Sequence, residues 1–292
     1  MNNDPRLIPA RPDLAAAHLK GRIGAKKFAK AKRLAVAVPA APLSCQPDPA
    51  SGLDTQLLYG EAFDAYESNA DWAWGQAVMD SYVGYVPRAC LEPVTGKPTH
   101  RISALMSHVY PARDIKSPPI GQLSYGAQLR ARKVAQGFLE LRDGGFVPAP
   151  HVTPIHEHAQ DWVSEAERFI GVPYLWGGRS SAGIDCSGLI QLALQSIGVA
   201  APRDTDLQAA ELGISVPAGE RATRGDLIFW KGHVGVMLNG TRMLHANASH
   251  MAVTAEPFIE ARNRIRIMGD GPVTRHARID MKRSTRSFRI AV

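Results

Sequence analysis

Short runs in which apolar and polar residues alternate fill the first half of the chain, whereas helical spacing of apolar residues appears beyond residue 160. Alternation with a period of two predicts strands, and the turn residues between the runs predict reversals of the chain. The runs "TQLLYGEAFDAYE", "DWAWGQAVMD" and "SYVGYVPRACLE" lie between residues 34 and 93, and the pattern returns between residues 101 and 149. Because "TQLLYGEAFDA" aligns with "GQLSYGAQLRA", we predict a tandem repeat of two small β-barrels.

Two segments outside these repeats carry other patterns. Residues 13–32 place Ala, Leu, Ile and Phe between lysines, which predicts a short amphipathic helix with Asp13 as its N-cap. Residues 148–158 are rich in proline and histidine and predict a linker. The domain prediction is a helical segment over residues 1–33, barrels over 34–93 and 94–150, a linker over 151–160, a larger domain over 161–268 and a basic tail over 269–292.

A cysteine precedes an apolar run with helical spacing in "GIDCSGLIQLALQSIG", residues 183–198. We predict a helix that begins near Cys186 and ends at Gly198. The positive end of a helix dipole stabilises a thiolate and lowers the pKa of a thiol from about 8.5. A lone cysteine is otherwise a packing residue, so a nucleophile needs a base nearby as a second sign.

Two histidines downstream are candidates for that base. His233 in "GHVGVML" and His245 in "RMLHANA" lie in strand-like runs that "NGT" joins as a hairpin. A two-residue loop of Asn239 and Gly240 would pair His233 with Ala246 and turn the two histidines to opposite faces. A catalytic pair therefore predicts a loop with an odd number of residues, or a β-bulge.

The charge and composition exclude several classes of protein. The net charge of +7 comes from residues 262–292, which hold eight arginines and one lysine against two aspartates. No aromatic residues interleave with these arginines in the way typical of nucleic-acid binding, so we expect no nucleic-acid partner and a solvated end of the chain. An acidic polymer or a membrane surface is the alternative partner for the basic end. No apolar run reaches the roughly 18 residues that a membrane span requires.

The three cysteines form neither a disulfide framework nor a zinc motif, and we expect Cys45 and Cys90 to be free thiols. His151, His156 and His158 lack a fourth ligand, so we expect no metal site. The run "RLAVAVPAAPLSC" comes late for a secretory signal, and prolines interrupt it. We therefore expect a cytoplasmic protein, with a periplasmic or secreted location as the alternative.

The C-terminal part resembles the NlpC-type papain-like cysteine peptidases. The motifs that carry the resemblance are "GVPYLWGGRSSAGIDCSGLIQ", "PRDTDLQ", "GDLIFW", "HVGVML" and "MLHA", in the order of that family. The first half resembles bacterial SH3-like domains. The resemblance implies an α+β fold in which two SH3-like barrels precede a papain-like domain, and it implies neither a metal nor an organic cofactor.

The resemblance also implies roles for individual residues. Cys186 matches the nucleophile, His233 the general base and His245 the third polar residue, while Tyr174 matches a tyrosine beside the nucleophile that helps to stabilise the oxyanion. The residues implied to contact the substrate are Asp185, Ser187, Asp204, Thr205, Tyr82 and Glu61. Among these, Asp185 and Ser187 are expected to bind a free α-amine, and Tyr82 and Glu61 to close the pocket from the first SH3-like unit, with Tyr85 competing for the place of Tyr82.

The expected activity is that of a γ-D-glutamyl-diamino acid endopeptidase acting on peptidoglycan-derived peptides. Released peptides of the type L-Ala-γ-D-Glu-diamino acid, as in cell-wall recycling, are the expected partners. Two other classes stay open: a non-catalytic protein that binds cell-wall peptides, and a thiol acyltransferase or amidase of the same fold.

Overall fold

The computed structural model describes residues 4–279, and the described chain divides into two compact units between Glu157 and His158. The N-terminal unit consists of strands and short 3-10 turns. The C-terminal unit combines a six-stranded sheet with four helices in its described part. Within residues 4–279, no helix is long and apolar enough to cross a membrane.

The N-terminal segment contains strands in place of the amphipathic helix predicted over residues 13–32. It contains β1 (Leu14–Ala16), a 3-10 turn (Ala17–Leu19) and β2 (Lys27–Ala29), and the two strands pair in parallel. The helix prediction is wrong because the backbones of β1 and β2 pair with each other, while Gly21 in the connection between them takes a left-handed backbone angle, with φ of 81°. Asp13 binds the side chain of Arg11 and caps no helix.

The first repeat forms a five-stranded sheet and a two-stranded ladder around one apolar core. The strands are β3 (Lys32–Val36), β4 (Ala40–Leu43), β5 (Thr55–Leu58), β6 (Ala62–Ser68), β7 (Trp72–Ala77), β8 (Val83–Pro87) and β9 (Leu91–Pro93). The sheet has the order β8-β7-β6-β3-β9, and β4 pairs with β5. The alternating residues Leu34, Val36 and Phe63 are buried in the core, which is the side-chain pattern that predicted these strands.

The second repeat has the same succession of ladders. Its strands are β10 (His100–Ile102), β11 (Met106–Val109), β12 (Gly121–Ser124), β13 (Gln128–Leu129), β14 (Ala131–Ala135), β15 (Phe138–Leu141), β16 (Phe146–Pro148) and β17 (Val152–Pro154). β11 pairs with β12 as β4 does with β5, and β14, β15 and β16 pair in sequence as β6, β7 and β8 do. The last strand of each repeat, β9 or β17, pairs with the first. The predicted tandem repeat is therefore seen in the topology.

The end of the second repeat corrects the predicted linker. A 3-10 turn (Ala149–His151) leads into β17, just as the 3-10 turn Arg88–Cys90 leads into β9. The residues predicted to form a linker thus include the last strand of the repeat. Their proline and histidine content is not typical of a strand, so the sequence pattern did not indicate it. The predicted domain boundary at residue 150 moves to Pro154.

The strands of each repeat do not close into a barrel within the part of the chain that the structure describes. In the first repeat, an isolated bridge between Ser44 and Tyr85 joins the β4–β5 ladder to the larger sheet. The predicted pair of small barrels is therefore not confirmed, and each repeat consists of short sheets around its own apolar core. All three cysteines are free, as predicted.

The C-terminal unit is organised around one sheet with the order β20-β25-β21-β22-β23-β24. Its elements are α1 (Trp162–Glu167), β18 (Arg179–Ser180), β19 (Gly183–Ile184), α2 (Cys186–Ser196), α3 (Thr205–Glu211), β20 (Ile214–Ser215), β21 (Asp226–Trp230), β22 (His233–Met237), β23 (Arg242–Asn247), β24 (Ala252–Pro257), α4 (Phe258–Ile265), a π-helical turn (Arg266–Asp270) and β25 (Arg275–Arg278). α2 packs against β22 and β23, and the backbone of Val234 in β22 hydrogen-bonds Cys186 at the start of the helix.

Strand β25 corrects the predicted basic tail over residues 269–292. It lies inside the sheet between β20 and β21, with Ala277 fully buried. Its arginines made the segment look solvated, yet Arg278 binds the buried carboxylate of Asp226 from the neighbouring strand. The rest of the predicted tail, residues 280–292, lies outside the described residues.

Candidate active site

Cys186 is the first residue of α2, as the sequence predicted. The preceding Asp185 has an extended backbone and caps the helix, because its Oδ1 accepts a 2.7 Å hydrogen bond from the N–H of Gly188. The helix ends before Gly198, whose φ of 78° suits the end of a helix. The thiol is therefore fixed at the N-terminus of an eleven-residue helix whose residues are almost all buried.

The environment of Cys186 raises the pKa of the thiol, in contrast to the predicted lowering. Burial is the largest cause, and the neighbouring Asp185 carboxylate adds to it, so that the pKa is raised to about 11. Hydrogen bonds from Thr205 and from the backbone N–H of Val234 act in the opposite direction, as does the charge of Arg203. The thiol is therefore protonated at neutral pH before substrate binds, and the reaction needs a base to remove the proton.

Arg203, which the sequence analysis missed, binds the carboxylate of Asp185. Its Nη1 donates to Oδ1 at 3.0 Å and its Nη2 to Oδ2 at 2.6 Å, and both side chains are buried. The backbone N–H of Gly177 donates to the same carboxylate at 2.9 Å. A substrate amine that binds Asp185, as predicted, would therefore compete with Arg203 for the carboxylate. The arginine lies within the "PRDTDLQ" motif, directly before Asp204, and this position was the signal in the sequence that could have identified it.

Ser187 follows the nucleophile on α2, and Asp204 and Thr205 lie at the start of α3. Oγ of Ser187 accepts a 2.8 Å hydrogen bond from Arg203, and Oγ1 of Thr205 lies 3.7 Å from Sγ of Cys186. Asp204 occupies the N-cap position of α3, where its side chain makes no capping hydrogen bond. Thr205 thus contacts the sulfur of the nucleophile.

The two histidines face each other across the hairpin of β22 and β23. Val236 pairs with Leu244 and Met237 with Met243, and the N–H of Leu238 donates to the carbonyl of Arg242. This register leaves a three-residue loop, residues 239–241, so the predicted odd loop is confirmed. As that parity requires, His233 and His245 lie on one face, with Nε2 of His233 2.8 Å from Nδ1 of His245.

Both imidazoles are buried, and this keeps them neutral. Burial is the largest cause that lowers the pKa of His233, to about 3, and the neighbouring His245 and Arg264 lower it further. Burial also lowers the pKa of His245, against the raising effect of the Glu256 carboxylate. Neutral His233 is therefore available as a proton acceptor, and Val234, the next residue along β22, hydrogen-bonds the Cys186 sulfur through its backbone.

Tyr174 is held beside the start of α2 by backbone contacts. It forms a bridge with Ile184, and its N–H donates to the carbonyl of Met251 at 2.9 Å. Burial is the largest cause that raises the pKa of the Tyr174 hydroxyl, and Cys186 and Asp185 raise it further. The hydroxyl therefore keeps its proton at neutral pH and can donate a hydrogen bond to a developing oxyanion.

Tyr82 and Glu61 belong to the N-terminal unit. Tyr82 is part of the apolar core of the first repeat, and Oε2 of Glu61 accepts a 3.0 Å hydrogen bond from the N–H of Leu58. Tyr85, the alternative to Tyr82, accepts a 2.7 Å hydrogen bond from Arg11 at its hydroxyl. Their part in closing a substrate pocket stays a prediction.

Glu256 is a further residue that the sequence analysis did not identify. His245 pairs with Thr254 across β23 and β24, so Glu256, two residues further on, points from the same face as a diagonal neighbour. Its Oε1 lies 2.6 Å from Nε2 of His245. The signal in the sequence was a single acidic residue in the run "AVTAEPF". Within residues 4–279, no group of three His, Cys, Asp or Glu side chains could hold a metal ion.

Comparison with known proteins agrees with this geometry. The profile of the NlpC/P60 family matches residues 171–266, which include Cys186 and both histidines, and the profile of the bacterial dipeptidyl-peptidase Sh3 domain matches residues 43–91. Dipeptidyl-peptidase 6 of Lysinibacillus sphaericus is 30% identical over 229 residues, covering 70% of this chain and 84% of that protein. The chain belongs to the NlpC/P60 family. It is a cysteine peptidase and therefore a hydrolase, as the sequence motifs predicted.

Other members of the NlpC/P60 family are similar over most of the chain. The gamma-D-glutamyl-L-lysine dipeptidyl-peptidase of Bacillus cereus is 26% identical over 241 residues, with 72% of each chain covered. A crystal structure of an NlpC/P60 family protein from Bacillus cereus has a TM-score of 0.71 at 20% identity and covers 85% of this chain and 99% of that one. This likeness supports the fold. The SH3 character of the second repeat stays a prediction.

Proposed function

We propose that this NlpC/P60 peptidase hydrolyses the amide bond between the γ-carboxyl of D-glutamate and a diamino acid in peptidoglycan stem peptides. The observation that carries the proposal is a buried thiol at a helix N-terminus beside a hairpin that holds two histidines 2.8 Å apart. Relatives from Bacillus cereus and Bacillus subtilis are named gamma-D-glutamyl-L-lysine dipeptidyl-peptidase, which supports the choice of bond.

The reaction begins when Cys186 transfers its proton to His233 and the sulfur attacks the γ-carbonyl carbon of the D-glutamyl residue. The carbon–oxygen double bond becomes an oxyanion, for which the backbone N–H of Cys186 and the hydroxyl of Tyr174 are the proposed donors. The tetrahedral intermediate collapses as the carbon–nitrogen bond breaks. His233 gives its proton to the departing amine, and a thioester with Cys186 remains.

Water completes the cycle. His233 removes a proton from the water molecule, the oxygen attacks the thioester carbon, and the carbon–sulfur bond breaks. The sulfur recovers a proton from His233, and a peptide that ends in D-glutamate leaves with a free γ-carboxylate. The balance requires no oxidant, reductant or cofactor.

The proposed substrate is a released peptide with a free N-terminal L-Ala, as would be recycled in the cytoplasm. Ser187, Tyr82 and Glu61 are the proposed contacts for its amine. Asp185 is included with a modified role: because Arg203 binds its carboxylate, a substrate ammonium would share that carboxylate with the arginine. Asp204 and Thr205 are proposed contacts further along the peptide.

A peptide digest tests the proposal. The full chain is incubated with L-Ala-γ-D-Glu-meso-diaminopimelate, with its N-acetylated form and with the lysine counterpart, and the products are read by mass spectrometry. C186A is the catalytic control, and C45A is its matched control because Cys45 is exposed and far along the chain from the site. Release of L-Ala-D-Glu by the wild type and by C45A, with a loss of about 10⁴-fold or more in C186A, is expected.

The substrate arms separate the parts of the proposal. Cleavage of the free-amine peptides alone supports recognition of the N-terminus, whereas equal cleavage of the N-acetylated peptide contradicts that recognition and indicates an open cleft. Failure to cleave any of the three peptides overturns the proposed bond and favours an acyltransferase, an amidase or a peptide-binding role.

A further inference from the structure

A carboxylate and a guanidinium continue the row of side chains that begins at His233. Oε1 of Glu256 lies 2.6 Å from Nε2 of His245. Arg264 of α4 binds both carboxylate oxygens, with Nη1 2.7 Å from Oε2 and Nη2 2.5 Å from Oε1. The four side chains therefore form one continuous chain of hydrogen bonds that runs from α4, through β24 and β23, to β22.

The protons in this chain can be assigned by counting donors and acceptors. Glu256 is ionised, because hydrogen bonds from His245 and Arg264 overcome its burial and lower its pKa to about 2. A carboxylate only accepts hydrogen bonds, so Nε2 of neutral His245 must carry the proton. Nδ1 of His245 is then an acceptor, and Nε2 of His233 must donate to it. By elimination, the proton-free nitrogen of neutral His233 is Nδ1.

We infer that Glu256, clamped by Arg264, is a positioning residue that fixes the tautomers of His245 and His233, so that Nδ1 of His233 is free to accept a proton. The inference rests on the proposed function for the roles of Cys186 and His233. Glu256 does not touch the reacting atoms, and it acts through His245.

The carboxylate has a second effect once His233 has accepted the proton. His233 and His245 are both buried, and a cation is unfavourable there. The charged groups that face this pair are Arg264, which opposes a further cation, and Glu256, which favours it. His250 is a further titratable neighbour, with Nδ1 4.0 Å from Oε1 of Glu256. Glu256 is thus the anion in this set that stabilises an imidazolium on His233.

Replacement of Glu256 by glutamine changes both properties and almost no volume. If the amide N–H₂ faces His245, His245 must accept at Nε2, and both histidines must reverse their tautomers. If the amide oxygen faces His245, the tautomers persist, but the amide N–H₂ then points at an N–H of Arg264, so two donors face each other. The negative charge is also lost. In both orientations, His233 becomes a weaker base for Cys186.

The experiment compares wild type, E256Q, E256D and D226N as full-length proteins. Asp226 is a matched control, since it is a buried carboxylate that also binds one histidine and one arginine, His276 and Arg278. The first readout is the rate of Cys186 alkylation by iodoacetamide between pH 5 and pH 10, with peptide mass spectrometry to separate Cys186 from Cys45 and Cys90. The second is kcat and KM on the free-amine diaminopimelate peptide, with thermal unfolding as a check on folding.

The thiolate is a minor species throughout this range, because the pKa of the Cys186 thiol is raised to about 11. In E256Q, we therefore expect the alkylation rate of Cys186 to fall by about tenfold at each pH. We expect kcat to fall by about 100-fold with little change in KM. E256D keeps the charge and should recover at least tenfold of the lost kcat, while D226N should keep the wild-type profile. Ring ¹⁵N NMR shifts, assigned with H233Q and H245Q, should show a proton-free Nδ1 on His233 of the wild type.

An alkylation rate of Cys186 in folded E256Q equal to that of the wild type would overturn the inference, as would a protonated Nδ1 on His233 in the wild type. An equal fall of the alkylation rate in D226N would also contradict it, because general destabilisation would then explain the result. Alkylation and NMR need no peptide substrate. If the wild type cleaves no peptide but E256Q lowers the alkylation rate, the proposed substrate fails while the positioning role stands.

Discussion

The C-terminal unit contains two clusters that each combine a histidine, a carboxylate and an arginine. They differ in what lies beyond the histidine. The His245 cluster consists of His245, Glu256 and Arg264, and the His276 cluster consists of His276, Asp226 and Arg278. In each, a histidine on one strand binds a carboxylate at a diagonal position of the neighbouring antiparallel strand, at 2.6 Å in the first and 2.8 Å in the second. In each, an arginine binds both carboxylate oxygens.

The His245 cluster continues to His233 and the active site, whereas the bonds of the His276 cluster lead to the backbone N–H of Thr223 and the side chain of Glu220. A buried carboxylate between a histidine and an arginine is thus a structural solution that the fold uses twice. Only its position relative to a second histidine gives it a part in catalysis. Matched substitutions in the two clusters can therefore separate the contribution of such a carboxylate to stability from its contribution to activity.

The largest difference between the clusters is expected on removal of the histidine. H245A removes the partner that orients His233 and should lower kcat by about 10³-fold, which is about 4 kcal/mol in activation free energy. H276A should stay within about threefold of wild type, since its contacts lead away from the site. Steady-state kinetics on the free-amine peptide measures both, and similar losses in the two variants would remove the distinction.

Stability should respond alike in the two clusters. D226N and E256Q each replace a carboxylate by an amide, which weakens its interactions with a histidine and with a partly exposed arginine. Each substitution should therefore lower the free energy of unfolding by about 1–3 kcal/mol. Urea unfolding followed by circular dichroism measures this loss. A destabilisation confined to E256Q would show that the two clusters are not equivalent even as structural elements.

A smaller difference is expected at the arginines. R264K keeps the charge but loses the bidentate contact that orients Glu256, so kcat should fall by about tenfold. R278K makes the same change in the His276 cluster and should alter kcat by less than about twofold. The comparison fails if R278K lowers kcat as much as R264K does.

The smallest effect is expected in how the stability of the folded protein depends on pH in the acidic range. The pKa of Glu256 is lowered from 4.5 to about 2, so its stabilisation is complete above pH 4.5 and is lost as the pH falls toward 2. The pKa of Asp226 is also lowered, from 3.8, so its stabilisation disappears below that pH. Melting temperatures between pH 2 and pH 6 should fall less steeply in E256Q and in D226N, and a slope equal to that of the wild type in either variant would contradict the assignment.

Local patterns determined several elements of this protein. The apolar spacing after Cys186 and the glycine at residue 198 specified α2, since periodicity and end signals act within one helix. Period-two runs specified the strands of both repeats, and the parity argument at Asn239 connected the spacing of two histidines to an odd loop. The predicted helix over residues 13–32 is wrong because pairing between β1 and β2 outweighed a weak spacing pattern.

Long-range pairing decided the rest. Strand β25 and the closing strand β17 have compositions typical of a tail and of a linker, and they become strands because a neighbouring edge offers them hydrogen bonds. Tertiary burial also reversed the expected pKa shift of Cys186, since desolvation exceeded the effect of the helix end. The sequence by itself determined where the nucleophile and both histidines stand. Only the tertiary structure brought Arg203 to Asp185 and Glu256 to His245, because those pairs form where separate elements pack together.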